Sequence, residues 1–187
     1  MRDGDTRSYK GRLKRLKFLL LIGGQNENPI PLPALAYEYY EEARLCWYTG
    51  AFVATIVMVQ MAFEELLRSH YRAANGVGGK LSNTKKVDDA GFNDLINEAK
   101  KEEYISAQEA ESLHNLRKNI RNSFAHVKDI KVNEKGNADL KTPNFFTQAL
   151  KIQAPEVLGN DVVEEAKEAI KLLVMAFPEI SKRHGGL

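Results

Sequence analysis

Only Thr49 and Gly50 separate two stretches of helical hydrophobic periodicity, and a break that short leaves few folds open. Upstream, over residues 33–48, Leu35, Tyr39, Ala43, Cys46 and Trp47 recur at helical spacing. Downstream, over 51–73, Phe52, Ile56, Val59, Phe63, Leu66 and Leu67 repeat at steps of three and four. One broad face of that second helix must be buried. Glycine accepts the left-handed conformation that ends a helix, and so short a turn sends the second helix back antiparallel to the first. The sequence predicts an αα-hairpin as the centre of the fold.

The remaining segments extend a helical plan. Residues 75–89 read as a loop, and its Gly78-Gly79-Lys80 does not make a phosphate loop. Ala74 stands where the first glycine is needed, Leu81 where a Ser or Thr would hold magnesium, and a helix precedes it instead of a strand. A short helix carrying Phe92, Leu95, Ile96 and Ala99 follows. Ser106-Ala107-Gln108-Glu109 is a capping box that starts the next helix. Ala110, Leu113, Ile120 and Phe124 form its apolar stripe, and it ends around residues 121–126. Ile130 and Val132 alternate with polar residues before a turn at Gly136, which predicts a small β-hairpin. A last helix is expected after Gly159-Asn160 and before Pro178, burying Val163, Ala166, Ile170, Leu173, Val174 and Phe177. The expectation is an all-α fold, a four- or five-helix bundle of antiparallel helices with a minor β-hairpin.

Charge divides the chain. Arg2, Arg7, Lys10, Arg12, Lys14, Arg15 and Lys17 face only Asp3 and Asp5 near the N-terminus, although the whole chain carries a formal net charge of only +2. Gly23-Gly24 and an Asn- and Pro-containing stretch follow, so residues 1–30 read as a basic arm and linker and 31–187 as the helical domain. Such an arm can steer toward phosphates or an acidic partner. It can equally be a solvated tail, or a short helix packing its Phe18 to Ile22 end on the core. Cys46 is the sole cysteine, which excludes an internal disulfide and a multi-cysteine zinc site. The apolar run Phe18-Leu19-Leu20-Leu21-Ile22 is too short to span a bilayer. These features lead us to expect a soluble cytoplasmic protein with no membrane partner, no metal and no cofactor.

The chemistry concentrates in Leu116-Arg117-Lys118-Asn119-Ile120-Arg121-Asn122-Ser123-Phe124-Ala125-His126. Arg121 and His126 form an R-x-x-x-x-H pattern with Asn122 directly after the arginine. Imidazole exchanges a proton near neutral pH, and guanidinium holds and neutralises phosphate oxygens. That suffices to handle a phosphodiester without a metal. On an ideal helix a five-residue step leaves Arg121 and His126 about 140° apart, whereas Asn122 and His126 share a face. Convergence therefore requires a loosened helix near Ala125, the long arginine stem, or a second copy of the chain. Each residue also has a plainer reading. His126 could bond the last carbonyls of its helix, Arg121 could pair with Glu42 or Glu64, and Asn122 could cap a turn.

Other residues surround that motif. Arg117, Lys118 and Lys128 would extend a phosphate-binding surface, or serve as solvated charges. Glu64 and Glu65 are the acids placed to fix the rotamer of Arg121 from behind; the alternative is an exposed pair with Arg68. Tyr37, Tyr39, Tyr40 and Trp47 could stack bases, though at helical spacing they suit a core or an interface. His70 and His114 lack metal-ligand companions and read as surface or packing residues. Cys46 has no apparent activator as a nucleophile.

The helix pair containing Tyr37-Glu38-Tyr39-Tyr40-Glu41-Glu42-Ala43-Arg44 and Met61-Ala62-Phe63-Glu64-Glu65-Leu66-Leu67, followed by a helix ending in R-N-x-x-x-H, resembles the HEPN superfamily. The resemblance covers roughly residues 33–126, with the last helix completing a bundle. It implies a metal-independent endoribonuclease of toxin, defence or RNA-processing type, acting on single-stranded RNA by 2′-hydroxyl attack. Arg121, Asn122 and His126 would be the catalytic residues, a homodimer the expected state, and an antitoxin an expected kind of protein partner. Related chains that have lost the arginine or histidine serve as binding modules. The alternative implied here is accordingly a catalytically silent RNA-, nucleotide- or protein-binding module. A DNA-binding regulator led by the basic arm is weaker, because no helix-turn-helix pattern is evident.

Overall fold

The computed structural model describes residues 9–23, 33–76, 78–82, 84–125 and 155–184, without the side chains of 23, 119–125, 155–161 and 184. The fold is all-α. Its helices are α1 (Tyr9–Gly23), α2 (Ala34–Thr49), α3 (Phe52–Asn75), α4 (Phe92–Lys101), α5 (Ala107–Ala125) and α6 (Pro155–His184). One 3-10 turn, Val87–Asp89, precedes α4, and no strand occurs among the described residues. The hairpin expected around residues 130–137 lies outside them.

The α2–α3 hairpin forms as the spacing requires. Gly50 sits at φ 85° and ψ 21°, the left-handed cap, with its N–H directed at the carbonyls of Cys46 and Trp47. A side chain here would be strained by that φ, and its Cβ would come within 3.3 Å of the Arg15 guanidinium. α3 runs through the centre and packs against α2, α4, α5 and α6. Its Val59, Ala62, Phe63, Leu66 and Leu67 are completely buried. Phe177 of α6 meets Phe63 edge-on at 5.3 Å and stacks on Tyr40 of α2 at 5.4 Å, so one ring joins three helices.

Part of the basic arm is structural. α1 packs on α2 and α6, burying Leu19 and the side chain of Arg15. Arg15 Nε donates to the carbonyl of Tyr48 at 2.9 Å, placing a cation at the C-terminal end of α2 where the helix dipole favours it. Trp47 Nε1 donates back to the Arg15 carbonyl at 3.3 Å, and Phe18 packs on the Trp47 ring. Burial, with the Arg12 charge nearby, lowers the pKa of Arg15.

Both ends of α6 depart from expectation. It begins at Pro155, ahead of Gly159-Asn160, and it continues through Pro178 to His184. A proline inside a helix forfeits one backbone hydrogen bond and crowds the preceding turn. Here the turn after it is held from outside. Ile180 is fully buried, and its carbonyl accepts from Tyr104 Oη at 3.1 Å. Arg183 donates to the Tyr104 carbonyl at 2.9 Å and to both Glu109 oxygens at 3.0 and 3.1 Å. Glu109 is also the predicted capping-box partner of Ser106, at 2.7 and 3.1 Å. Burial would raise the Glu109 pKa, but the Arg183 and Ser106 hydrogen bonds outweigh it and hold it low.

Candidate nucleic-acid interface on helix α5

Geometry at the motif follows from α5 staying helical as far as Ala125. Arg121 and Asn122 therefore lie in its last turn and a half, although their side chains are not described. His126 and Lys128 lie outside the described residues. α5 is helical up to Ala125, and the convergence of Arg121 and His126 falls outside the described residues.

The described part of α5 has two unlike flanks. One carries His114, Arg117 and Lys118, and the backbone position of Arg121 continues their row at helical steps of three and four. Arg117 is half-buried, and its Nε, shut off from solvent, has no partner among the described residues. Lys118 is exposed. Burial lowers the pKa of His114, and the nearby charges of Arg117 and Lys100 lower it further. Both effects favour the neutral imidazole, which stands beside two cations. An arriving phosphate would find cations on this flank and would pull the imidazole toward protonation.

The opposite flank faces α6 across a groove of about 480 Å³. Its α5 wall is Gln108, Ser112 and Asn115, a neutral polar row. Ile56 of α3 and Leu116 of α5 lie at its apolar base. The α6 side mixes Glu165, Glu168 and Lys171 with Ala169, Leu172 and Met175, and Glu168 and Lys171 lie 3.9 Å apart. Two carboxylates on that wall disfavour a phosphate backbone, whereas amides and hydroxyls suit hydrogen bonding to base edges.

Glu64 and Glu65 are engaged within their own neighbourhood. Glu64 pairs with Arg68 at 2.6 Å, the i,i+4 arrangement weighed from the sequence, but the pair is half-buried and not exposed. Buried Glu65 accepts from Arg72 at 2.8 Å and Ser69 Oγ at 3.2 Å, and lies 3.4 Å from Arg68. Arg72 continues to Asp88 at 2.7 Å, and Arg68 donates to the Ala90 carbonyl, so the cluster ties α3 to the 3-10 turn.

Other candidates resolve into packing. Trp47 and Tyr40 are buried, Tyr39 is half-buried, and exposed Tyr37 stacks on Tyr40 at 6.4 Å. His70 lies flat on Tyr104, with centroids 3.7 Å apart and planes 10° from parallel. Burial pushes the Cys46 thiol up to about 11, and the Glu42 carboxylate 3.8 Å away adds to this. Such a thiol is a poor nucleophile. The glycine-lysine loop is also occupied. Ser82 gives its amide and its hydroxyl to the buried Glu98 carboxylate, both at 2.7 Å, so these donors already serve an anion of the protein's own. Among the described residues no cluster of His, Cys, Asp and Glu could hold a metal, and no helix is long and apolar enough to cross a membrane.

His114 was missed as a member of the cationic flank. Its spacing from Arg117 and Arg121, three and then four residues, carried the signal; reading histidines only for metal companions passed over it. No family model, curated protein or solved structure matches the chain.

Proposed function

We propose that the protein is a HEPN-type, metal-independent endoribonuclease that cleaves single-stranded RNA. The observation that carries this reading is the cationic flank of α5, in which half-buried Arg117 and exposed Lys118 precede Arg121 by about one turn. The 2′-hydroxyl of the substrate attacks the adjacent phosphorus and the 5′-oxygen of the next nucleotide leaves. His126 moves the proton, Arg121 stabilises charge on the phosphoryl oxygens, and Asn122 orients a reacting group. In this reading α2, α3, α5 and α6 are the long helices of the bundle, α4 is its short fifth member, and the hairpin follows His126. The cytoplasm is its compartment and an antitoxin-like protein its regulator.

A homodimer belongs to the same reading. On an ideal helix a five-residue step sets Arg121 and His126 about 140° apart, and a second copy of the chain would relieve that divergence. Two copies related by a two-fold axis would bring one chain's arginine near the other's histidine. The second reading, a catalytically silent RNA-, nucleotide- or protein-binding module, draws on the groove beside α6, whose α5 wall is polar and uncharged.

The deciding experiment uses the full chain and a labelled single-stranded RNA in the presence of chelator. Wild type should release products ending in a 2′,3′-cyclic phosphate and leave the deoxy substrate intact. His126→Ala should lower the rate by about 10²–10⁴ while RNA affinity changes little. Wild-type protein that binds RNA and leaves it whole would replace the nuclease with the silent module.

A further inference from the structure

Most of the exposed large apolar side chains among the described residues lie far from α5 in sequence, on α1. Five of the nine large hydrophobic side chains that are exposed belong to this one helix: Tyr9 at 73%, Leu13 at 37%, Leu16 at 40%, Leu20 at 65% and Leu21 at 84%. The inward side of α1 is already used, since Arg15 and Leu19 are buried and Phe18 and Ile22 pack on the core. On an ideal helix Leu16, Tyr9, Leu20 and Leu13 share an outward arc of about 60°. Lys17, Lys10, Leu21 and Lys14 continue that arc in order, so Leu21 falls between two lysines. The helix contains five cations and no acid. None of Lys10, Lys14 and Lys17 has an ion pair among the described residues, and all three are exposed.

We propose that the outer face of α1 docks on anionic phospholipid bilayers, with its leucines entering the acyl boundary and Lys10, Lys14 and Lys17 meeting headgroup phosphates. The helix lies along the surface and does not cross it, as a helix of 15 residues must. The inference is independent of the ribonuclease reading. No described helix is long and apolar enough to cross a membrane, and docking along the surface requires none.

Charge and placement select this occupant over the others. A second copy would set cations against cations in either helix orientation, because α1 has no acid to offer. RNA would use the lysines but leave Leu20 and Leu21 in water. An acidic protein helix would satisfy the charges, yet Lys17 and Lys10 sit between the four-residue apolar arc and Leu21 and would be buried within that contact. Lysine is depleted from such centres. At a bilayer the same lysines extend their alkyl stems along the apolar layer and lift the ammonium to headgroup level.

The test is co-sedimentation of the full chain with vesicles of phosphatidylcholine alone and of equal parts phosphatidylcholine and phosphatidylglycerol. Binding to the anionic vesicles should be at least about tenfold tighter and should weaken as salt is raised. Leu20→Ser with Leu21→Ser should reduce it about tenfold or more, as expected for removing two inserted side chains. Both leucines are exposed, so the thermal transition should stay in place. Replacing Lys10, Lys14 and Lys17 by Gln should weaken binding by about fivefold per lysine. This second variant leaves the leucines intact and guards against a folding defect in the first. Equal binding to both vesicle types, or a leucine variant that binds like wild type, would overturn the proposal. A wild type that ignores both vesicles would overturn it too and leave the face to an acidic protein helix.

Discussion

The two flanks of α5 belong to one helix and share one solvent, yet they offer opposite chemistry. On the side of His114, Arg117 and Lys118 the groups are cationic or poised to become so. On the α6 side Gln108, Ser112 and Asn115 are neutral and face Glu165 and Glu168 across a groove. A polyanion can lie on the first flank, whereas the carboxylates facing the second repel it. If RNA is the ligand, its backbone follows the cationic row and its bases turn toward the amides. One helix can thus separate affinity from readout without any loop.

The largest test of this division compares substitutions about two turns apart. Arg121→Ala should lower single-turnover cleavage by about 10²–10³, the usual cost of losing a group that stabilises developing phosphoryl charge. Asn115→Ala, on the neutral flank, should change the same rate by no more than about threefold, since it deletes a polar interaction made in ground and transition state alike. Equal losses would erase the distinction between the flanks.

A smaller effect is expected from the cations that do no chemistry. Replacing Arg117 and Lys118 by Ala should weaken RNA binding about tenfold and equally for all sequences, because groups that hold phosphates position a strand without reading it. The dependence of log K on log salt should flatten by about 0.7 for each phosphate no longer neutralised. Fluorescence anisotropy across a salt series measures both quantities. A loss confined to particular base sequences would move the readout onto the cationic flank.

How far these features were legible from the residues depended on how local their cause was. The α2–α3 hairpin needed only Thr49-Gly50, and the capping box only Ser106 and Glu109, so both could be read directly. Pro178 misled because the hydrogen bonds that carry α6 past it, from Tyr104 and to Glu109, involve residues some 70 positions away. Arg15 misled for a related reason. In a run of basic residues it looks like one more solvated charge, and only the folded chain shows the Tyr48 carbonyl and Trp47 around it. The candidate site was legible as a motif, in which Arg121, Asn122 and His126 are adjacent enough in sequence to be noticed together. The division into flanks was not, because it depends on which side of α5 meets α6.

The smallest effect is also the most selective reporter of where RNA lies. In the folded chain the His114 pKa is below its ordinary 6.5, first through burial and then through Arg117 and Lys100. A histidine depressed in the folded state binds protons more readily when unfolded. His114 therefore costs no stability above pH 6.5, and stability is lost as the pH falls from there through the folded value. Arg117→Ala should raise the His114 pKa only partway, since burial is the larger cause. RNA bound along the cationic flank should raise it as well, because each phosphate offsets the repulsion of the neighbouring cations. RNA held only in the α6 groove should leave it where it stands. Following the imidazole ring protons by NMR through a pH titration, with and without a non-cleavable deoxy strand, separates these outcomes. A His114 titration that ignores a saturating strand would place the polyanion away from this flank and undo the contrast at its cationic side.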